Sequence, residues 1–132
     1  VALARPGPGF AAEGAGAFRL DPASVADHGA LLDAVGPGLA SVVHLRSLDA
    51  PGDDPMAAQG PGYRAALALG QAIAERGDRA PGTLALCTRG AQSTAPGEPA
   101  PGFAQGTLWG LGRVFAMELP AVRSMLLDLA AD

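Results

Sequence analysis

The 132-residue chain has no lysine and no asparagine. All nine basic residues are arginines, a pattern we read as GC-rich coding bias, since no single chemistry calls for it. The missing lysine excludes whole reaction classes. A G-x-x-x-x-G-K-[ST] loop needs its lysine to reach the bound phosphates, and Schiff-base catalysis needs an amine nucleophile. Cysteine occurs once, at Cys87, so no disulfide can form within the chain, which fits a reducing compartment. Aromatic residues are only 5% of the total, so the core must be built mainly from aliphatic side chains and alanine. No apolar run reaches the ~20 residues of a transmembrane helix, and no charged-then-apolar signal segment opens the sequence. The expectation is a soluble, cytoplasmic protein without membrane contact. Nine arginines against thirteen acids give a net charge of −4, scattered and without a basic stripe, so nucleic acid is not an expected partner.

What is present reads as alternating strands and helices. Apolar residues make up 48% of the chain, enough for one modest core. Val1–Ala4 reads as a short strand ended by Arg5-Pro6-Gly7-Pro8-Gly9. Glu13–Ala17 reads as glycine-rich loop, and Phe18–Leu20 as a short half-exposed strand. Asp21-Pro22 has the form of a helix start, with Val25, His28, Leu32 and Val35 on one face and Gly36-Pro37-Gly38 as the stop. Ala40–Leu45 is an apolar strand, and Leu48–Gly60 is turn-rich. A helix is expected from Pro61 to Gly77, burying Tyr63, Ala66, Leu67, Gly70, Ile73 and Ala74. Thr83–Thr88 is a further strand. A long helix from about Gly102 to Leu119 buries Ala104, Leu108, Leu111 and Phe115, and Ser124–Leu129 is the last strand. The alternation predicts an α/β fold, a Rossmann-like parallel sheet with helices on both faces.

The candidate reactive residues find little support. The G-x-G matches that start at Gly7, Gly14, Gly36 and Gly110 do not lie between a strand and a helix that they would open. Gly110 and Gly112 fall inside the long helix, where the expectation is close packing against a neighbour. His28 and His44 have no second histidine at ligand spacing, so hydrogen-bonded packing is expected and a metal site is not. Cys87 lies late in a buried strand and reads as a small core residue. Ser41, Ser47, Ser93 and Ser124 lack a nucleophile-elbow context. Arg89 stands at the carboxyl end of a strand, where α/β folds bind ligands. It could meet an anion there, with a salt bridge or a contact to another segment as the preferred alternative.

The order Leu84-Ala85-Leu86-Cys87-Thr88-Arg89-Gly90-Ala91-Gln92, then Gln105-Gly106-Thr107-Leu108-Trp109-Gly110-Leu111-Gly112-Arg113-Val114-Phe115-Ala116-Met117-Glu118, then Asp128-Leu129, resembles the ketoreductase region of modular polyketide synthases. The likeness extends weakly back through Phe18-Arg19-Leu20-Asp21 and Val42-Val43-His44-Leu45. The loop at 52–62 and Met117-Glu118-Leu119-Pro120 depart from the family pattern. The resemblance falls on the structural half of such an enzyme, so residues 1–132 are expected to form one partial domain with no catalytic, cofactor-binding or metal residues. It implies that NADPH, and the lysine, serine and tyrosine of β-ketoacyl reduction, belong to an adjoining catalytic subdomain of the same polypeptide. Tyr63, on a core-facing stripe, is no substitute. The substrate would arrive on an acyl carrier protein. Trp109, Arg113 and Arg89 are the expected packing or subdomain-interface residues. The family's first strand and helix are absent, which would leave Val1–Ala4 separated from Val42–Leu45 by a gap in mid-sheet. The chain is therefore expected to be a piece of a larger polypeptide, or to receive its central strand from elsewhere. A truncated pseudo-ketoreductase with a purely architectural role, and a free-standing small-molecule-binding α/β domain, are the alternatives.

Overall fold

The computed structural model describes residues 1–131. The first 20 residues form a small mixed sheet of their own. Strand β1 (Leu3–Pro6) runs parallel to β3 (Ala17–Leu20), and β2 (Ala11–Gly14) runs antiparallel to β3 on its other side. The hairpin from β2 to β3 turns at Gly16, whose φ of 76° suits a residue without Cβ. Only β3 faces a core: Phe18 and Leu20 are buried, Phe18 stacks on Phe10 with ring centroids 6.1 Å apart, and β3 rests on the first helix. The expected strand at Val1–Ala4 is thus displaced by two residues and includes Pro6. It satisfies its edge within this separate sheet, so the anticipated mid-sheet gap does not involve it. Strand β2 overlaps the expected Glu13–Ala17 loop at Glu13 and Gly14.

Helix α1 (Val25–Val35) starts three residues later than Asp21-Pro22 suggested. Ser24 is its N-cap and accepts from the Asp27 backbone N–H at 3.1 Å. Asp21 instead bends the chain before the helix, accepting from the Ala23 N–H at 2.9 Å. Gly36 ends α1 at a φ of 89°.

The second sheet is parallel, in the order β4 (Ser41–His44), β5 (Thr83–Arg89), β6 (Arg123–Leu129). The connection from β4 to β5 carries α2 (Pro55–Ala58), a π-helical turn at Gly60–Arg64 and α3 (Ala65–Ala74). Helix thus begins six residues before the expected Pro61, because Asp54 caps it by accepting from the Met56 and Ala57 N–H groups. From β5 to β6 the chain passes through a 3₁₀ turn at Phe103–Gly106 and α4 (Thr107–Glu118).

The Rossmann-like parallel sheet matches the expectation, and its placement of helices refines it. Strand order advances in one direction, and right-handed crossovers then put both connecting helices on the same face. The face carrying Val42, Leu84, Leu86 and Leu126 packs with Leu32 of α1, Leu69 and Ile73 of α3, and Leu108, Leu111 and Phe115 of α4. The other face, carrying Val43, Ala85, Cys87, Met125 and Leu127, has no helix over it among the described residues. Helices on both faces would require a reversal of strand order, which these three strands do not contain.

The layers meet where side chains are missing. A Cβ on Gly70 of α3 would lie 2.2 Å from the Phe115 ring, and one on Gly112 of α4 would lie 2.4 Å from a Leu126 methyl. Gly112 therefore packs closely as expected. Gly110 meets nothing within 4 Å, contrary to the same expectation. Gly112→Ala is expected to destabilise the chain by about 1–2 kcal/mol, overpacking outweighing helix propensity. Gly110→Ala is expected to stabilise it by up to about 1 kcal/mol. Denaturant unfolding of the two variants checks the contrast, and equal shifts would contradict the packing described.

Candidate functional site at the strand ends and on the outer face of the last helix

The carboxyl ends of β5 and β6 gather the polar residues of the T-R-G-A-Q segment. Thr88 is fully buried, and its hydroxyl donates to Asp128 Oδ1 at 2.7 Å. The Trp109 indole Nε1 donates to Thr88 Oγ1 at 3.0 Å, joining α4 to the sheet. The Asp128 carboxylate also accepts from the Ala91 N–H at 3.1 Å and the Gln92 N–H at 2.9 Å. Gln105 Oε1 accepts from the Arg89 N–H at 3.1 Å. Ser47, fully buried, donates its hydroxyl to the Cys87 carbonyl and ties the segment after β4 to β5. Each of these groups is consumed in holding a strand end or a loop. The sequence names Trp109 as a packing residue and puts Thr88 with Arg89 at a strand's carboxyl end, but it neither pairs Trp109 with Thr88 nor gives a role to Gln105 or Asp128, whose partners lie 16–40 residues away.

The other singled-out residues are dispersed. Arg89 is exposed and lines a shallow hollow with Leu48, Gly52, Pro101 and Gln105. Arg113 lies on the exposed side of α4, and neither arginine makes an ion pair among the described residues. Val114 and Met117 are exposed on α4 at helical spacing from Gly110 and next to Arg113, and Phe103 is exposed on the 3₁₀ turn that leads into α4; Met117 is 71% exposed. Tyr63 packs against the main core. Ser41 and Ser93 are exposed, and Ser124 donates to the Gly112 carbonyl at 2.9 Å.

Cys87 is buried as expected, and burial pushes its thiol pKa up, away from the reactive thiolate. His28 is buried and hydrogen-bonded as expected, whereas His44 is buried without a hydrogen bond. His28 Nε2 contacts the Pro22 carbonyl at 3.0 Å, but its Nδ1 and both ring nitrogens of His44 have no partner among the described residues. Burial lowers the pKa of both; for His44, repulsion from His28 and Arg46 adds to it and brings the value to about 4. No group of three or more potential metal-ligating side chains exists among the described residues. No helix among them is long and apolar enough to cross a membrane.

The family described as the Rossmann fold domain of polyketide synthase extender module SpnB matches residues 3–132. The chain belongs to this family. Two solved structures share its fold. One is described as the adenylation, ketoreductase and pseudo Asub multidomain structure of a keto acid-selecting NRPS module; at 20% identity it aligns with a TM-score of 0.82 over 98% of this chain. The other, the first ketoreductase of the tylosin PKS, is 32% identical and aligns with a TM-score of 0.60 over 87% of this chain. The chain spans 11% of the first and 25% of the second. No curated protein matches it. The SpnB-type Rossmann domain is thus a Rossmann-fold subdomain of ketoreductase-like polyketide synthase modules.

Proposed function

We propose that this SpnB-type domain is the non-catalytic, structural half of a ketoreductase, within a polypeptide whose adjoining half reduces a β-ketoacyl group with NADPH. The observation that carries the reading is the strand-end network. Where an α/β fold would present acid–base or cofactor-binding groups, Thr88, Asp128, Gln105, Trp109 and Ser47 spend their hydrogen-bonding capacity on the chain itself. In this reading NADPH and the reacting residues belong to the catalytic half, the acyl carrier protein visits that half, and the assembly works in the cytoplasm.

The outer face of α4 is the surface we assign to the catalytic half. Phe103, Val114 and Met117 supply apolar area, Gly110 allows close approach of a neighbouring helix, and Arg113 offers a charge to a carboxylate. Trp109 acts behind this face by fixing α4 to β5, and Arg89 meets the same half at the strand ends.

Thermal unfolding of the 132-residue chain, alone and mixed with a separately expressed catalytic half, tests the reading. The transition is expected to be broad alone and to sharpen and rise on mixing. A sharp transition that mixing leaves unchanged, and that rises with NADPH, would mean a self-sufficient binding domain instead.

A further inference from the structure

The helix-free face of the parallel sheet has a definite shape. Along β5 the residues on this face are small, Ala85 and Cys87, and both are buried between taller neighbours. On the β4 side stands Val43, 53% exposed, and on the β6 side stand Met125, Leu127 and Leu129, with Leu127 39% exposed. The result is an apolar trough running along the central strand. Parallel sheets are buried on both faces, because βαβ architecture leaves neither in water.

Charge marks the two ends of the trough. Alternation along the strands puts Arg123 on this face at one end and Arg89 at the other, both exposed and neither in an ion pair among the described residues. Thr83 pairs with Arg123, so the two arginines are separated by six residue steps, or about 20 Å of strand. A helix covering that length has about 13 residues.

We propose that this trough is a docking groove for one amphipathic α-helix of about three and a half turns, contributed by the same polypeptide outside residues 1–132, with apolar residues toward Ala85 and Cys87 and acidic residues near both ends. The proposal rests on the reading that the domain works within a larger polypeptide, which its share of its structural relatives supports. It concerns the sheet face opposite α4 and shares only Arg89 with the surface assigned above, so Leu127 and Met117 report on the two surfaces separately.

Cysteine labelling of the full polypeptide tests it. Leu127→Cys, Met117→Cys and the reference Met56→Cys, whose native residue is 81% exposed, are reacted with a maleimide under native and denaturing conditions, and mass spectrometry of the peptides gives the rate at each position. Leu127→Cys is expected to label at least tenfold more slowly than Met56→Cys in the native polypeptide and equally fast when denatured. Equal native rates would overturn the proposal. Protection of Leu127→Cys that disappears on dilution would also overturn it, since a second copy would then be the occupant. A protected Met117→Cys beside a reactive Leu127→Cys sinks only the groove, whereas reactivity at both positions sinks the scaffold reading as well.

Discussion

Asp128→Ala is expected to lower the stability of the domain by about 2–4 kcal/mol, more than most single substitutions outside a core. The carboxylate accepts from three donors, the Thr88 hydroxyl and the Ala91 and Gln92 backbone N–H groups. Thr88 and Ala91 are buried, so water cannot replace the lost acceptor at either without opening the strand ends. Thr88 would also lose the partner that orients its oxygen toward the Trp109 indole. Asp128→Asn is expected to cost less, because one amide oxygen remains to accept. Denaturant unfolding of the chain mixed with the catalytic half gives both values. If Asp128→Ala unfolds within 0.5 kcal/mol of the unmodified chain, a threshold typical of neutral surface substitutions, the network does not hold the strand ends. A second readout separates this from general weakening: backbone hydrogen exchange at Ala91 and Gln92 is expected to accelerate more than exchange in the middle of β5.

This network shows where a sequence stops being readable. Strands β5 and β6 and helix α4 were legible because each is long and its apolar pattern has one period: Leu84 and Leu86 alternate, while Ala104, Leu108, Leu111 and Phe115 recur at helical spacing, and all six are buried. The T-R-G and W-G-L-G-R segments were conspicuous for a different reason, their resemblance to the ketoreductase region of modular polyketide synthases. What they do was not, since Thr88 meets Trp109 and Asp128 only after the chain has made a complete crossover. The small N-terminal sheet was harder still. Ala11–Gly14 has no alternation to mark it as a strand, and its stability comes from pairing with Phe18 and its neighbours. Capping decided two helix starts against the more conspicuous prolines. Ser24 displaces the start from Pro22, and Asp54 advances it from Pro61 to Pro55. The single-sided helix layer follows from strand order and handedness, neither of which local pattern contains.

Acid is expected to weaken the domain well above the pH at which its carboxylates begin to protonate. His44 is buried with neither ring nitrogen partnered, and its pKa is depressed to about 4, first by burial and then by repulsion from His28 and Arg46. His28 is depressed by burial too, against the opposing pull of the Pro22 carbonyl, Asp27 and Asp21. In the unfolded chain both titrate near 6.5. Between about pH 6.5 and 4 the unfolded state therefore binds protons that the folded state refuses, and stability falls as the pH falls through that window. For His44 alone the loss is roughly 3 kcal/mol at the bottom of the window. Asp33 and Glu98 do not set this window. Hydrogen bonds from Arg76 and Thr94 hold their carboxyls below the ordinary range, so their contribution is lost only at lower pH. His44→Leu is expected to leave stability at pH 7.5 unchanged or raised, because it removes two unpartnered nitrogens, and to flatten most of the slope between pH 6.5 and 4. Unfolding free energies measured across this range for both proteins check the assignment. A slope that survives in His44→Leu would place the acid sensitivity elsewhere, whereas its loss would make the buried imidazole beside β5 the group that limits the domain in acid.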